Sequence, residues 1–83
     1  MHTAIDSFQL FEEANTIIYS IGNCVGPALD EFIIRKKAEL LVIEEEEQKR
    51  NFVLEYIDLI GLELHGFKNF SSEVLRQINA RYN

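Results

Sequence analysis

From Ala28 to Ile60 the chain has neither glycine nor proline, and along this run apolar residues recur at spacings near three and four. Leu29, Phe32, Ile33, Leu40 and Ile43 mark one face, widened by Ile34, Ala38 and Leu41. That period belongs to a helix. Gly26-Pro27 opens the run well, because glycine is tolerated at an N-cap and proline at the first helical position forgoes an amide bond that no helix would have made. Asp30 and Glu31 follow in the first turn, where the helix dipole favours acids. Glu44 to Asn51 is wholly polar, with Glu45 and Lys49, and Glu46 and Arg50, four apart in the order that supports a helix. Phe52, Val53, Tyr56, Ile57, Ile60 and Leu64 then resume an apolar stripe.

Two continuations fit this pattern. An unbroken helix would be about 50 Å long, beyond the ~30 Å of a small domain, and its ends would need a partner chain. A break falls best at Gln48 to Asn51, with Lys49 and Arg50 suited to a helix C-terminus and Asn51 to the next N-cap. The break is the favoured reading. A hairpin of Leu40–Ile43 with Phe52–Leu54 would have to turn through glutamates, which is poor turn chemistry.

Before the central run, Thr3 is a candidate N-cap with Asp6 three residues on. Ile5, Phe8, Phe11, Ala14, Ile18 and Ile21 form a face flanked by Leu10 and Ile17, and Gly22-Asn23 stops the helix. Beyond the run, Gly66 suits a left-handed C-terminal position with Phe67 beside it, and Ser71 or Ser72 can cap a last helix whose Val74, Leu75 and Ile78 face inward. The expectation is an all-α protein, one domain over residues 1–83. It is a small bundle of three to four helices near 4–22, 27–50, 52–65 and 71–81, the second and third either separate or continuous.

Length sharpens the picture. A chain of 83 residues builds a core contributing about 3–5 kcal/mol, and proteins of this size often add disulfides, a metal or a second subunit. One cysteine, Cys24, and two histidines supply neither an internal disulfide nor a structural zinc site. Self-association remains, so the bundle is expected to be completed by dimerisation. The net charge of −6, with no lysine or arginine before Arg35, argues against a nucleic-acid backbone as partner. No apolar run reaches membrane-spanning length, and the N-terminus lacks a basic region followed by an apolar core. A cytoplasmic chain is expected, partnered by itself and by another protein.

Candidate chemistry is sparse. Glu44 to Glu47 point about 100° apart in succession and cannot converge on one ion, so they read as a solvated face. Cys24 reads as a small buried hydrophobe. Glu55 and Asp58 stand three apart, on one side of a helix, where two carboxylates can share a magnesium ion. Leu54-Glu55-Tyr56-Ile57-Asp58, Gly66, Val74-Leu75 and Asn79-Ala80-Arg81-Tyr82 together resemble the C-terminal half of the all-helical nucleotide pyrophosphohydrolases of the MazG type. That resemblance implies magnesium at Glu55 and Asp58, joined by a second acidic cluster, and nucleotide contacts from Asn79 and Arg81. The companion cluster departs from the family's pattern: Glu12-Glu13 is followed by Thr16, and Glu44-Glu45 by Gln48, where a third acid belongs. His65-Gly66-Phe67-Lys68 resembles the H-x-x-K of histidine phosphotransfer modules, which implies a phosphoryl group on His65 steadied by Lys68. Gly66 argues instead that His65 ends a helix.

The functional expectation is therefore a small acidic protein–protein interaction module, a homodimeric regulator, inhibitor or adaptor without catalysis or cofactor. Its anchors are expected at Phe32, Phe52 and Tyr56, since large aromatics dominate interface energetics. Magnesium-dependent nucleotide pyrophosphohydrolysis at Glu55 and Asp58, and phosphotransfer at His65, are the alternatives.

Overall fold

The long central run breaks, but earlier than its sequence suggests. In the computed structural model, which describes residues 5–21, 26–66 and 68–82, the chain forms α1 (Ser7–Ile21), α2 (Pro27–Leu41), α3 (Glu46–His65) and α4 (Phe70–Tyr82). No strand occurs among the described residues. The break lies at Val42–Glu45, not at Gln48–Asn51, and Asn51 is an exposed position inside α3 rather than a cap.

Electrostatics explains the shift. A run of glutamates at the C-terminus of α2 would sit against the negative end of its dipole, whereas Glu46 and Glu47 in the first turn of α3 meet the positive end. The β-branched Val42 and Ile43 also resist helix continuation. Their amides close α2 with tight bonds to the Glu39 and Leu40 carbonyls, 3.3 and 3.2 Å long.

Local signals at other ends hold as read. Gly26 is the N-cap of α2 with Pro27 opening the helix, and Gly66 ends α3 in the left-handed conformation at φ 67°. The caps of α1 and α4 differ from expectation. Asp6 caps α1, its carboxylate accepting the Gln9 amide at 2.7 Å, so the helix begins at Ser7 and not at residue 4. Helix α4 begins at Phe70, one residue early, and Ser71 and Ser72 lie inside its first turn. Thr3, Gly22-Asn23, Cys24 and Phe67 lie outside the described residues.

Paired contacts fix the directions. Ser7 meets Glu46, and the Tyr56 hydroxyl donates to Asn15 Oδ1 at 2.5 Å, so α1 and α3 run parallel. Lys37 lies 3.6 Å from Glu12 on α1, and Arg81 lies 2.8 Å from Glu13, so α2 and α4 run the other way. The buried core draws Leu10, Phe11, Ala14, Ile17 and Ile18 from α1, Val53, Tyr56, Ile57 and Ile60 from α3, and Phe70, Val74 and Ile78 from α4. Helix α2 contributes only Leu40 as a fully enclosed side chain and rests mainly on α3, with Leu29, Phe32 and Ile33 partly covered. The buried face of α1 is turned from the expected one: Leu10 and Ile17 are interior, while Phe8 is partly open. Its buried Ser7, drawn to Glu46, sets that rotation.

Gly61, in mid-helix, lets α4 approach α3. A Cβ placed there would stand 2.2 Å from the Phe70 Cβ, an atom fixed by its own backbone. Gly61→Ala gains about 1 kcal/mol of helix propensity. Overpacking against Phe70 costs more, about 1–3 kcal/mol beyond that gain. The expected result is a lower urea midpoint of unfolding; a raised midpoint would show that Phe70 does not seat against Gly61.

Candidate functional site

The three aromatics expected at an interface serve the joint between α2 and α3. The Tyr56 ring lies between Phe11, with centroids 4.9 Å apart, and Phe32, stacked at 6.1 Å. Tyr56 is only 3% exposed, which corrects its reading as a surface anchor. Burial also pushes the Tyr56 hydroxyl well above the ordinary tyrosine range, so it stays a neutral donor to Asn15. Phe32 and Phe52 are half-buried, and the Lys36 ammonium lies over both rings at 5.4 and 5.6 Å. Size singled out these aromatics in the sequence, but large aromatics serve cores as readily as interfaces.

The most open of the large apolar side chains are aliphatic, ahead of the exposed Phe8 and Tyr19. Ile34 (66% exposed), Leu41 (62%) and Val42 (78%) stand along the outer side of α2 and its end, and Leu59 and Leu62 on the outer side of α3. The signal for this was in the sequence: Ile34, Ala38 and Leu41 widen the apolar arc of α2 beyond what one neighbouring helix covers.

The carboxylates assigned to chemistry hold structure together. Asp58 accepts the Ser71 amide at 2.8 Å and thereby caps α4 from α3, while Glu55 is exposed. Helix α4 runs back along α3 from that point, placing Asn79 about 12 Å further on at 1.5 Å per residue. Arg81 is held by Glu13 of α1. Glu12, its neighbour, pairs with Lys37. Among the described residues no group of three or more His, Cys, Asp or Glu is placed to hold a metal ion. His65 is the last residue of α3, as Gly66 implied, and its side chain lies outside the described part; Lys68 is exposed beyond the helix end.

Glu46 is the carboxylate that sequence reasoning missed. Its Oε1 accepts the Ser7 hydroxyl at 2.6 Å and the Ser7 amide at 2.9 Å, a cap supplied across 39 residues. No local motif announces such a pair. A cavity of about 170 Å³ opens beside it, lined by Asp6, Phe8, Leu40, Leu41, Glu46 and Lys49. The cavity mixes two acids, one ammonium and three apolar side chains next to the exposed Leu41 and Val42.

With protein-family models, curated proteins and solved structures alike, the chain finds no match. Among the described residues no helix is long and apolar enough to cross a membrane.

Two measurements probe these assignments. Tyr56→Phe removes the donor to the nearly buried Asn15 and is expected to lower stability by about 1–3 kcal/mol with the solution mass unaltered. A change in mass with full stability would restore Tyr56 to the surface role. The bonds from the Ser7 hydroxyl and then its amide hold the Glu46 carboxyl below the usual carboxylate range. Folding thus binds its proton less tightly, and the stabilisation is present above the unfolded-state value and fades as pH falls through the folded one. The stability gap between the parent and Glu46→Gln is expected to be widest near neutral pH and to close below about pH 4. A gap constant from neutral to acid pH would mean that the carboxylate charge is not what holds Ser7.

Proposed function

We propose that the chain is a small helical protein–protein interaction module that works as a homodimer and acts by covering a partner's surface, as a regulator, inhibitor or adaptor does. One observation carries this reading: the core is closed by residues from all four helices, yet five large aliphatic side chains remain open on the outer faces of α2 and α3. Scattered exposed aliphatics are ordinary, but Ile34 and Leu41 share one helix face with the exposed Ala38 between them, and Val42 adjoins it. Charge supports the same reading, since an acidic chain is a poor ligand for a nucleic-acid backbone.

The carboxylates fit it too. Glu46 and Asp58 are engaged in capping neighbouring helices, and Glu12 and Glu13 in pairing with Lys37 and Arg81. Light scattering across a wide concentration range is the direct test. A mass rising from one chain to two is expected, with no larger species; a single-chain mass at every concentration would overturn the homodimer.

A further inference from the structure

We infer that the outer face of α2 is covered by α2 of a second copy, the two helices crossing antiparallel about a point between Lys37 and Ala38. This rests on the homodimer reading above and names its surface. Ile34, Ala38 and Leu41 stand at i, i+4 and i+7, within about 60° of one another around the helix, and all are exposed. Val42 extends the same patch at 78% exposure.

The patch is complementary to itself. A two-fold axis maps one surface onto its own copy, so whatever lies on one side of the crossing point meets what lies on the other. Ile34 of each copy then faces the Leu41–Val42 end of its partner, apolar against apolar. The small side chain of Ala38 sits at the crossing, where bulk would hold the helices apart.

Charge selects the same arrangement. In an antiparallel pair related by such an axis, each flank of the helix meets the same flank of the other copy. Arg35 and Glu39 share one flank on either side of the crossing point, and both are exposed, the Arg35 guanidinium lying 5.7 Å from the Phe32 ring centroid. Each Arg35 is thereby set against the Glu39 of the other chain. Among the described residues Glu39 makes a 3.7 Å ion pair with Lys36 of its own chain, a contact weak enough to yield to that partner.

Helix α2 also carries no net charge into the pairing. Its three acids, Asp30, Glu31 and Glu39, are balanced by Arg35, Lys36 and Lys37, in a chain whose net charge is −6. One helix face against another lies at the small end of interface sizes, so a dimer with a dissociation constant of roughly micromolar order is expected.

Charge reversal on the full chain tests both surface and direction, with mass followed by analytical ultracentrifugation from about 1 to 500 µM to bracket that affinity. Arg35→Glu and Glu39→Arg should each weaken the dimer by about tenfold, since each change sets two pairs of like charges in contact. The double reversal should recover parental affinity, and Ile34→Lys should give a single chain whose helical circular dichroism is that of the parent. A parent that dimerises while all four variants keep its mass would overturn the α2 surface and leave the homodimer standing. Single reversals that weaken the dimer without recovery in the double would overturn the antiparallel crossing. A parent that stays single-chain throughout would overturn the homodimer, and this inference with it.

Discussion

Glu46 does more than begin α3. By accepting both the amide and the hydroxyl proton of Ser7, its carboxylate satisfies an orphan donor at the start of α1 and sets that helix beside α3. Asp58, just over three turns along, does the same for the Ser71 amide of α4. Helix α3 thus supplies a capping carboxylate to the helix on either side of it, and its own register decides where both begin. Because Glu46 must stand in the first turn of α3 to reach Ser7, the helix before it has to end by then. That contact adds to the dipole preference of the glutamates in placing the break at Val42–Glu45.

Packing completes what the caps begin. Phe70 fills the space left by the absent side chain of Gly61, locking α4 against the C-terminal half of α3. Tyr56 sits among Phe11 and Phe32 and is tied by its hydroxyl to Asn15, joining α1, α3 and α2 at one point. Beyond Phe32 the quality of packing changes. The outer sides of the half-buried Phe32 and Phe52 rings carry the Lys36 ammonium, a contact worth about 0.5–1 kcal/mol at an exposed site. Helix α2 is accordingly the most weakly held of the four.

Much of this fold is legible in the chain by local rules. Gly26-Pro27 and Gly66 mark helix ends through backbone chemistry that needs no neighbour, and both stand where that chemistry puts them. The spacing of Val53, Tyr56, Ile57 and Ile60 gives the buried face of α3 directly. The break was not legible in the same way. Glu44 to Asn51 is polar throughout, so periodicity is silent there, and the deciding partner, Ser7, is 39 residues away. Asp58 misled for a related reason: an acid three residues from another reads as an ion-binding pair until the amide of Ser71 is seen to occupy it. Gly61 carried an unread signal, since a lone glycine within a helical pattern implies close approach of another element. On the surface, choosing anchors by size favoured Tyr56, whereas the excess of apolar arc on α2 pointed to Ile34 and Leu41.

The division of labour among the helices bears on how the proposed dimer would act. Helices α1, α3 and α4 close a core in which α2 has one fully buried residue, Leu40. Its remaining apolar residues are divided between an inner side resting on the core and an outer side facing solvent. Such an element opens at lower free energy than the core it rests on. In the pairing proposed, only a docked α2 presents Ile34, Ala38 and Leu41 in register, so association selects the closed chain and adds its own free energy to closure. Folding of α2 and recognition of the second copy are then one equilibrium. Under the proposed pairing, the weak attachment of α2 in the single chain would make its closure depend on concentration.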